Sequence, residues 1–462
     1  MREQILFVLN RFDEILWGNC LIYLLITVGV FYTFKLKGLQ FRYLMTSLKM
    51  AVSRKDDKAE GDISQFQSLM TSLAASIGIS NIAGVATAIL AGGMGSIFWM
   101  WVIALVGMST KYAEAILAVK YRKVDAAGNM QGGPMVYIEE GLGWKKLAVT
   151  FSFFGCLSAL AGGNLTQSNS IAIAMTDLVH LSPFVIGLIL AILTFVILLK
   201  GIKSIGLVSS YLVPLMALLY IGFGLVVISH NLKAVPGVLE SIFYAAFSGQ
   251  AAVGGFLGST VASAIQFGIA RGISSSEAGL GSAPIAAAAA KTDHPGRQAL
   301  ISMSGTFISS MIVCTITALT IGVSEKLGSV DSSGQLLNGV RLVMVAFDQV
   351  IPHGNLIVAI GVLLFGYSTI VGWAYYGEQC FSYIFRPKYV IFYRTIFCMV
   401  VFFGAIASLE LVWPIVDIMN GLMALPNLIA LFFLSKDVVL ESDAFLKILD
   451  QEKKEAKKLT SQ

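Results

Sequence analysis

Long apolar runs decide what this chain can fold into. A helix that crosses a bilayer needs about 20 mostly apolar residues, and eleven stretches of the sequence qualify. They cover residues 14–34, 65–91, 97–119, 147–179, 183–199, 207–229, 244–290, 299–323, 355–376, 391–408 and 412–435. The seventh is too long for one straight crossing and is expected to be bent, broken or partly outside. Composition agrees. A soluble chain carries about 25% charged residues because its surface faces water, whereas here 13% are charged and 56% hydrophobic. The expectation is an all-α integral membrane protein with a bilayer around it. A soluble enzyme, a disulfide scaffold and a disordered chain are excluded. The first apolar run lacks a small-x-small cleavage site and reads as a retained span.

Positive residues mark the cytoplasmic side. With the N-terminus outside, the outer segments hold Arg2, Arg11, Lys233, Lys326 and Arg341, and Lys111 and Arg271 lie within spans. The other 25 of the 32 Lys and Arg fall inside. This predicts an odd number of crossings, a cytoplasmic C-terminus, and a multi-pass protein of the cell membrane. The tail, 436–462, is expected to be a solvated amphipathic helix. The five Cys and four His are scattered, which gives no disulfide framework and no metal-ligand spacing. There is no G-x-x-x-x-G-K-[ST] phosphate loop, so ATP is not expected to supply the energy. No nucleic-acid partner and no enzymatic activity are expected.

The layout repeats. After the first helix and a basic loop (1–64) comes a Gly-rich interrupted span, a plain span, an amphipathic stretch at 132–143, then three spans, ending near 230. From 231 to 435 the order recurs, with an amphipathic stretch at 335–350. Five spans per half put the second half in the opposite orientation. Interrupted helices at matching places of an inverted repeat are the best sequence pointer to a transport site. Helices do not break where lipid can see them, because every N–H and C=O needs a partner there. They break where the freed groups bind something. A half-helix N-terminus suits a carboxylate, and bared carbonyls suit Na⁺.

The first interruption is Ser76-Ile77-Gly78-Ile79-Ser80-Asn81-Ile82-Ala83-Gly84. Small residues alone would fit close helix packing; Asn81 beside Ser80 at mid-span needs more. The second runs from Arg271 to Pro284 and packs Ser274, Ser275, Ser276, Ser282, Glu277, three Gly and a Pro into fourteen residues. Glu277, an ionisable residue at membrane depth, is a functional candidate; Arg271 is its plainest structural partner. Asn164, Gln167 and Asn169 in the fourth span, and Ser368, Thr369 and Trp373 in the ninth, are further polar or pocket-forming candidates. Lys111 and Glu114, three apart, read as a structural pair near the inner end.

These residues resemble the alanine/glycine:cation symporter family. The matches are Asn81-Ile82-Ala83-Gly84-Val85-Ala86-Thr87-Ala88, the run 92–101 closing with Gly107, Lys111-Tyr112-Ala113-Glu114-Ala115, Gly132-Gly133-Pro134-Met135, 277–284 and Lys291-Thr292-Asp293-His294-Pro295. They span most of the chain. The resemblance implies a Na⁺- or H⁺-coupled symporter of a small neutral amino acid, with a leucine-transporter-like five-plus-five inverted repeat after one extra helix. It implies a substrate site at Gly78, Ile79, Ser80, Asn81, Ser274, Ser275 and Ser276, completed by Gln167, Asn169 and Trp373. It implies Na⁺ ligation by carbonyls near Ala74 and Ile77 and by the Ser368 and Thr369 hydroxyls. The chain departs from the family pattern where Ile79-Ser80 replaces Thr-Gly, Ser274 a Phe, Ser276 an Asn, Met94 a Pro and Ser309 an Asp. Phe to Ser at a pocket wall frees volume and adds a hydroxyl, which points to a cargo larger or more polar than alanine, such as serine or glutamine.

Overall fold

The computed structural model describes residues 2–53, 59–126, 128–248, 259–331, 334–407 and 412–460, which are almost wholly helical. Among them, seven helices are long and apolar enough to cross a membrane, and three shorter ones are also apolar. Leu188, Ile192, Val196, Leu218, Phe392 and Phe403 point outward and are exposed. Such faces suit lipid and would drive association in water.

Helix α1 (Arg2–Leu16) continues through a π turn at Trp17–Leu21 into α2 (Ile22–Lys35). Two short helices, Leu39–Arg42 and Leu44–Val52, lead on. Next come α3 (Gln65–Ser76), α4 (Ala83–Gly92) and α5 (Gly95–Lys120). The stretch expected at 132–143 is α6 (Pro134–Leu142), whose first five residues are buried. The fourth span is α7 (Lys145–Leu160) and α8 (Thr166–Val179), joined by a π turn at Ala161–Leu165. Then follow α9 (Pro183–Leu198), α10 (Ile202–His230) and α11 (Val235–Ser248).

The long seventh stretch is indeed in pieces. The end of α11, α12 (Val261–Ser276) and α13 (Ala283–Ala288) divide it, and 249–258 lies outside the described residues, as do Arg54, Lys55, Lys58, Ser408 and the last two residues of the tail. The remaining helices are α14 (Pro295–Thr306), a π turn at Phe307–Val313, α15 (Cys314–Ser324), α16 (Gly339–Asp348), α17 (Gly354–Phe385), α18 (Val390–Ile406), α19 (Val412–Phe433) and α20 (Ser435–Thr460).

Helix α5 is the spine. It packs on α12, α14 and α2, and Tyr112, Ala113, Glu114 and Leu117 along it are fully enclosed. The starts of the helices are written locally. Ser64 accepts from the Gln67 N–H at 3.1 Å while the Gln67 side chain caps Ser64 in return, a capping box that fixes the beginning of α3. Thr260 and Ser263 do the same for α12.

The tail is amphipathic, as its pattern suggested, but one face is docked. Val438 and Phe445 are fully buried, the Phe445 ring stacks on His294, and Arg297 donates to Glu452 at 2.5 Å.

Candidate functional site

The first break starts from one redirected hydrogen bond. In a continuing helix the Gly78 N–H would donate to the Ala74 carbonyl. Here it donates to Asn81 Oδ1 at 3.1 Å. Gly78 is fully extended (φ −123°, ψ −161°), a short 3₁₀ turn follows at Ile79–Asn81, and α4 begins at Ala83. The last helical bond of α3 runs from the Ile77 N–H to the Leu73 carbonyl at 2.7 Å. Glycine is required by space: a Cβ on residue 78 would lie 2.5 Å from Thr369 Oγ1.

The carbonyl freed at Ala74 is met from α17. Thr369 Oγ1 donates to it at 3.1 Å and Ser368 Oγ at 3.3 Å. Both hydroxyls also reach the Phe365 carbonyl at 2.9 Å. Four oxygens, from Ala74, Phe365, Ser368 and Thr369, thus converge where α3 stops. Ser368 and Thr369 are buried. Uncharged oxygens gathered away from bulk solvent suit a hard cation. Phe365 was invisible in the sequence because a backbone carbonyl carries no side-chain signature.

The second break begins later than the serine run suggested. Ser274, Ser275 and Ser276 form the last turn of α12, and unwinding starts at Glu277, which is left-handed at φ 56° and donates its N–H to the Ile273 carbonyl at 2.8 Å. Serines hydrogen-bond back to their own helix: Ser274 Oγ donates to Ala270 and Ser275 Oγ to Gly272. They therefore tolerate helix up to the end. Lys111 Nζ donates to the Ser276 carbonyl at 2.7 Å, and Glu114 Oε1 accepts from the Gly281 N–H at 3.1 Å and from Asn427 Nδ2 at 2.7 Å. Lys111 and Glu114 thus bracket the second break. Glu277 Oε2 accepts from Ser282 Oγ at 3.0 Å. Arg271, its expected partner, instead faces Asp417 at 3.8 Å.

The two breaks meet. Ser80 Oγ donates to the Ser274 carbonyl at 3.4 Å. Asn81 Nδ2 donates to the Ser309 carbonyl at 3.1 Å, and Ser275 pairs with Ser310 at 2.8 Å, so α14–α15 backs the junction. Gln167 Oε1 accepts from the Ile79 N–H at 3.3 Å. Trp373 fills the space over Gly163, where any Cβ would overlap it; this close approach sits in the π turn of the fourth span. Asn169 is not brought here. Its amide donates to the Gly404 and Ala407 carbonyls at 3.0 and 2.6 Å. Two residues on from Gln167, it points to the opposite side of the helix. Asn427 is the residue that sequence reasoning missed; an amide directly after Pro426 inside an apolar helix was the available signal. A cavity of about 570 Å³ lies beside α4, lined by Ala83, Gly84, Thr87, Ser170, Arg271 and Arg341.

A multi-pass membrane protein with two broken helices facing each other has the construction of a secondary transporter. The chain belongs to the sodium:alanine symporter family, whose model matches residues 2–459. It is 49% identical to the sodium/alanine symporter AgcS of Methanococcus maripaludis over 97% of this chain and 99% of that one. It is 37% identical to the probable sodium/glutamine symporter GlnT of Bacillus subtilis, over 95% and 90%. Its fold is similar to that of a manganese transporter from Eremococcus coleocola, with a TM-score of 0.53 at 13% identity, covering 80% of this chain and 79% of that one.

Proposed function

We propose that this protein imports a small neutral amino acid together with Na⁺ by alternating access. The observation that carries the reading is the convergence of the Ser368 and Thr369 hydroxyls on the Ala74 carbonyl. Na⁺ would take those oxygens, with the Ile77 and Phe365 carbonyls beside them. By neutralising the bared end of α3 it would hold the first break in its open-chain form. The same break carries the cargo, so ion and substrate binding strengthen each other reciprocally.

The cargo would lie between residues 78–81 and the last turn of α12. The α4 N-terminus would face its carboxylate through free N–H groups and the helix dipole. Bared carbonyls at the ends of α3 and α12 would face its ammonium. Gln167 and Trp373 would close the sides, and Ser274, in place of a bulkier residue, leaves room for serine or glutamine as well as alanine. The eleven spans would form two inverted five-helix halves after α1–α2, with the N-terminus outside and the tail in the cytoplasm.

The test is a thermal-shift panel on the purified protein. Alanine, serine or glutamine should raise the melting temperature when Na⁺ is present and fail to do so when K⁺ replaces it. A panel in which no neutral amino acid gives a Na⁺-dependent shift would overturn the proposal.

A further inference from the structure

Two carboxyls and one ammonium are enclosed together at the second break. Glu114 is 0% exposed, and Glu277 and Lys111 are each 1% exposed. Lys111 and Glu114 lie one turn apart on α5, and Glu277 is the residue at which α12 stops. The charges acting on Lys111 are the two acids, and Lys111 is the cation acting on each of them. Among the described residues, the other groups facing the cluster are neutral: Asn427, Ser282, Trp373, and the phenols of Tyr32, Tyr137 and Tyr376. Each acid keeps one buried oxygen, Glu114 Oε2 and Glu277 Oε1, with no hydrogen-bond partner among the described residues. Lys111 spends its short contact on the Ser276 carbonyl instead.

Fully ionised, this cluster carries a net negative charge enclosed away from bulk solvent. A buried charge without compensation is strongly unfavourable, and two carboxyls in one low-dielectric site do not both ionise readily. One added proton makes the cluster neutral. We propose that Lys111, Glu114 and Glu277 form a one-proton binding site that ties the second break to α5. With the proton bound, the break is latched: Lys111 holds the end of α12, and Glu114 holds Gly281 and Asn427. Without it, the excess charge draws water into the break and loosens the latch. Proton occupancy and the shape of the break are therefore linked. The site goes beyond Na⁺-coupled transport and does not depend on that reading.

Infrared spectroscopy on the protein in lipid vesicles tests it. The expected signal is the C=O stretch of one buried protonated carboxyl from this cluster, steady from mildly acid to mildly alkaline pH. It is read in an Asp13→Asn, Asp417→Asn background, because those two acids share Arg271 in a separate group. Glu277→Gln and Glu114→Gln each leave one acid opposite one ammonium, and each should abolish the band. Lys111→Met leaves two acids with no cation and should roughly double it. A spectrum of that background with no buried protonated carboxyl would overturn the proposal, as would a band undiminished in both Gln variants.

Discussion

Thr369 offers the sharpest perturbation of the proposed ion site. Its hydroxyl contacts the Ala74 carbonyl at 3.1 Å and the Phe365 carbonyl at 2.9 Å. Thr369→Ala deletes one of the four oxygens gathered at the end of α3, whereas Thr369→Ser deletes a methyl group and keeps the oxygen. An interaction between a neutral polar group and a charge contributes about 1.5–3 kcal/mol. At ~1.4 kcal/mol per factor of ten, the Ala variant should need on the order of 10- to 100-fold more Na⁺ for half-maximal uptake. Ser should stay within a few-fold of wild type. The assay is amino-acid uptake into liposomes against external Na⁺ at fixed membrane potential, with cargo saturating. An unchanged Na⁺ dependence in the Ala variant would refute the assignment. Equal damage from Ser and Ala would assign the role to packing rather than to the oxygen.

Other substitutions follow from close approaches. Gly78→Ala should suppress uptake and lower stability by about 1–3 kcal/mol, as overpacking does, because its Cβ would stand 2.5 Å from Thr369 Oγ1; thermal unfolding alongside uptake checks both. Ser274→Phe should narrow the site and lower glutamine uptake relative to alanine in a competition assay. Wild-type protein that carries glycine and alanine but excludes glutamine would contradict the enlarged site. His294 reads pH at the docked tail. Burial holds its imidazole below the usual histidine value, against the pull of Glu441 and Asp293. The unfolded state then binds the proton more readily than the folded one, so stability rises with pH through the window just below the ordinary histidine range. Acidification through that window should speed hydrogen exchange in α20, and His294→Asn should remove the step while keeping an N-cap.

What the sequence revealed, it revealed through conflict. Asn81 and Glu277 stood out because a polar group inside an apolar run demands a partner, and both lie at helix breaks. The hydroxyls of Ser368 and Thr369 stood out for the same reason. The unwinding point at the second break was hidden, since serines satisfy themselves within a helix and Ser274–276 look alike whether wound or not. Asn169 and Gln167 look equivalent as a list of amides, yet two residues along a helix separate their faces. The Phe365 carbonyl and the π turn at Ala161–Leu165 depend on tertiary packing that no local pattern encodes. Lys111 and Glu114 were half legible: the sequence offered them as a structural pair near the inner end of their span, but not that each grips a different side of the second break.

The central claim is that a Na⁺ gradient drives cargo through the junction of the two broken helices. Uptake of alanine into liposomes loaded with purified protein tests it most directly. With Na⁺ outside and K⁺ inside, alanine should accumulate above its external concentration and leak out when the gradient collapses. Equal accumulation with choline in place of Na⁺, or mere equilibration under the full gradient, would contradict the account.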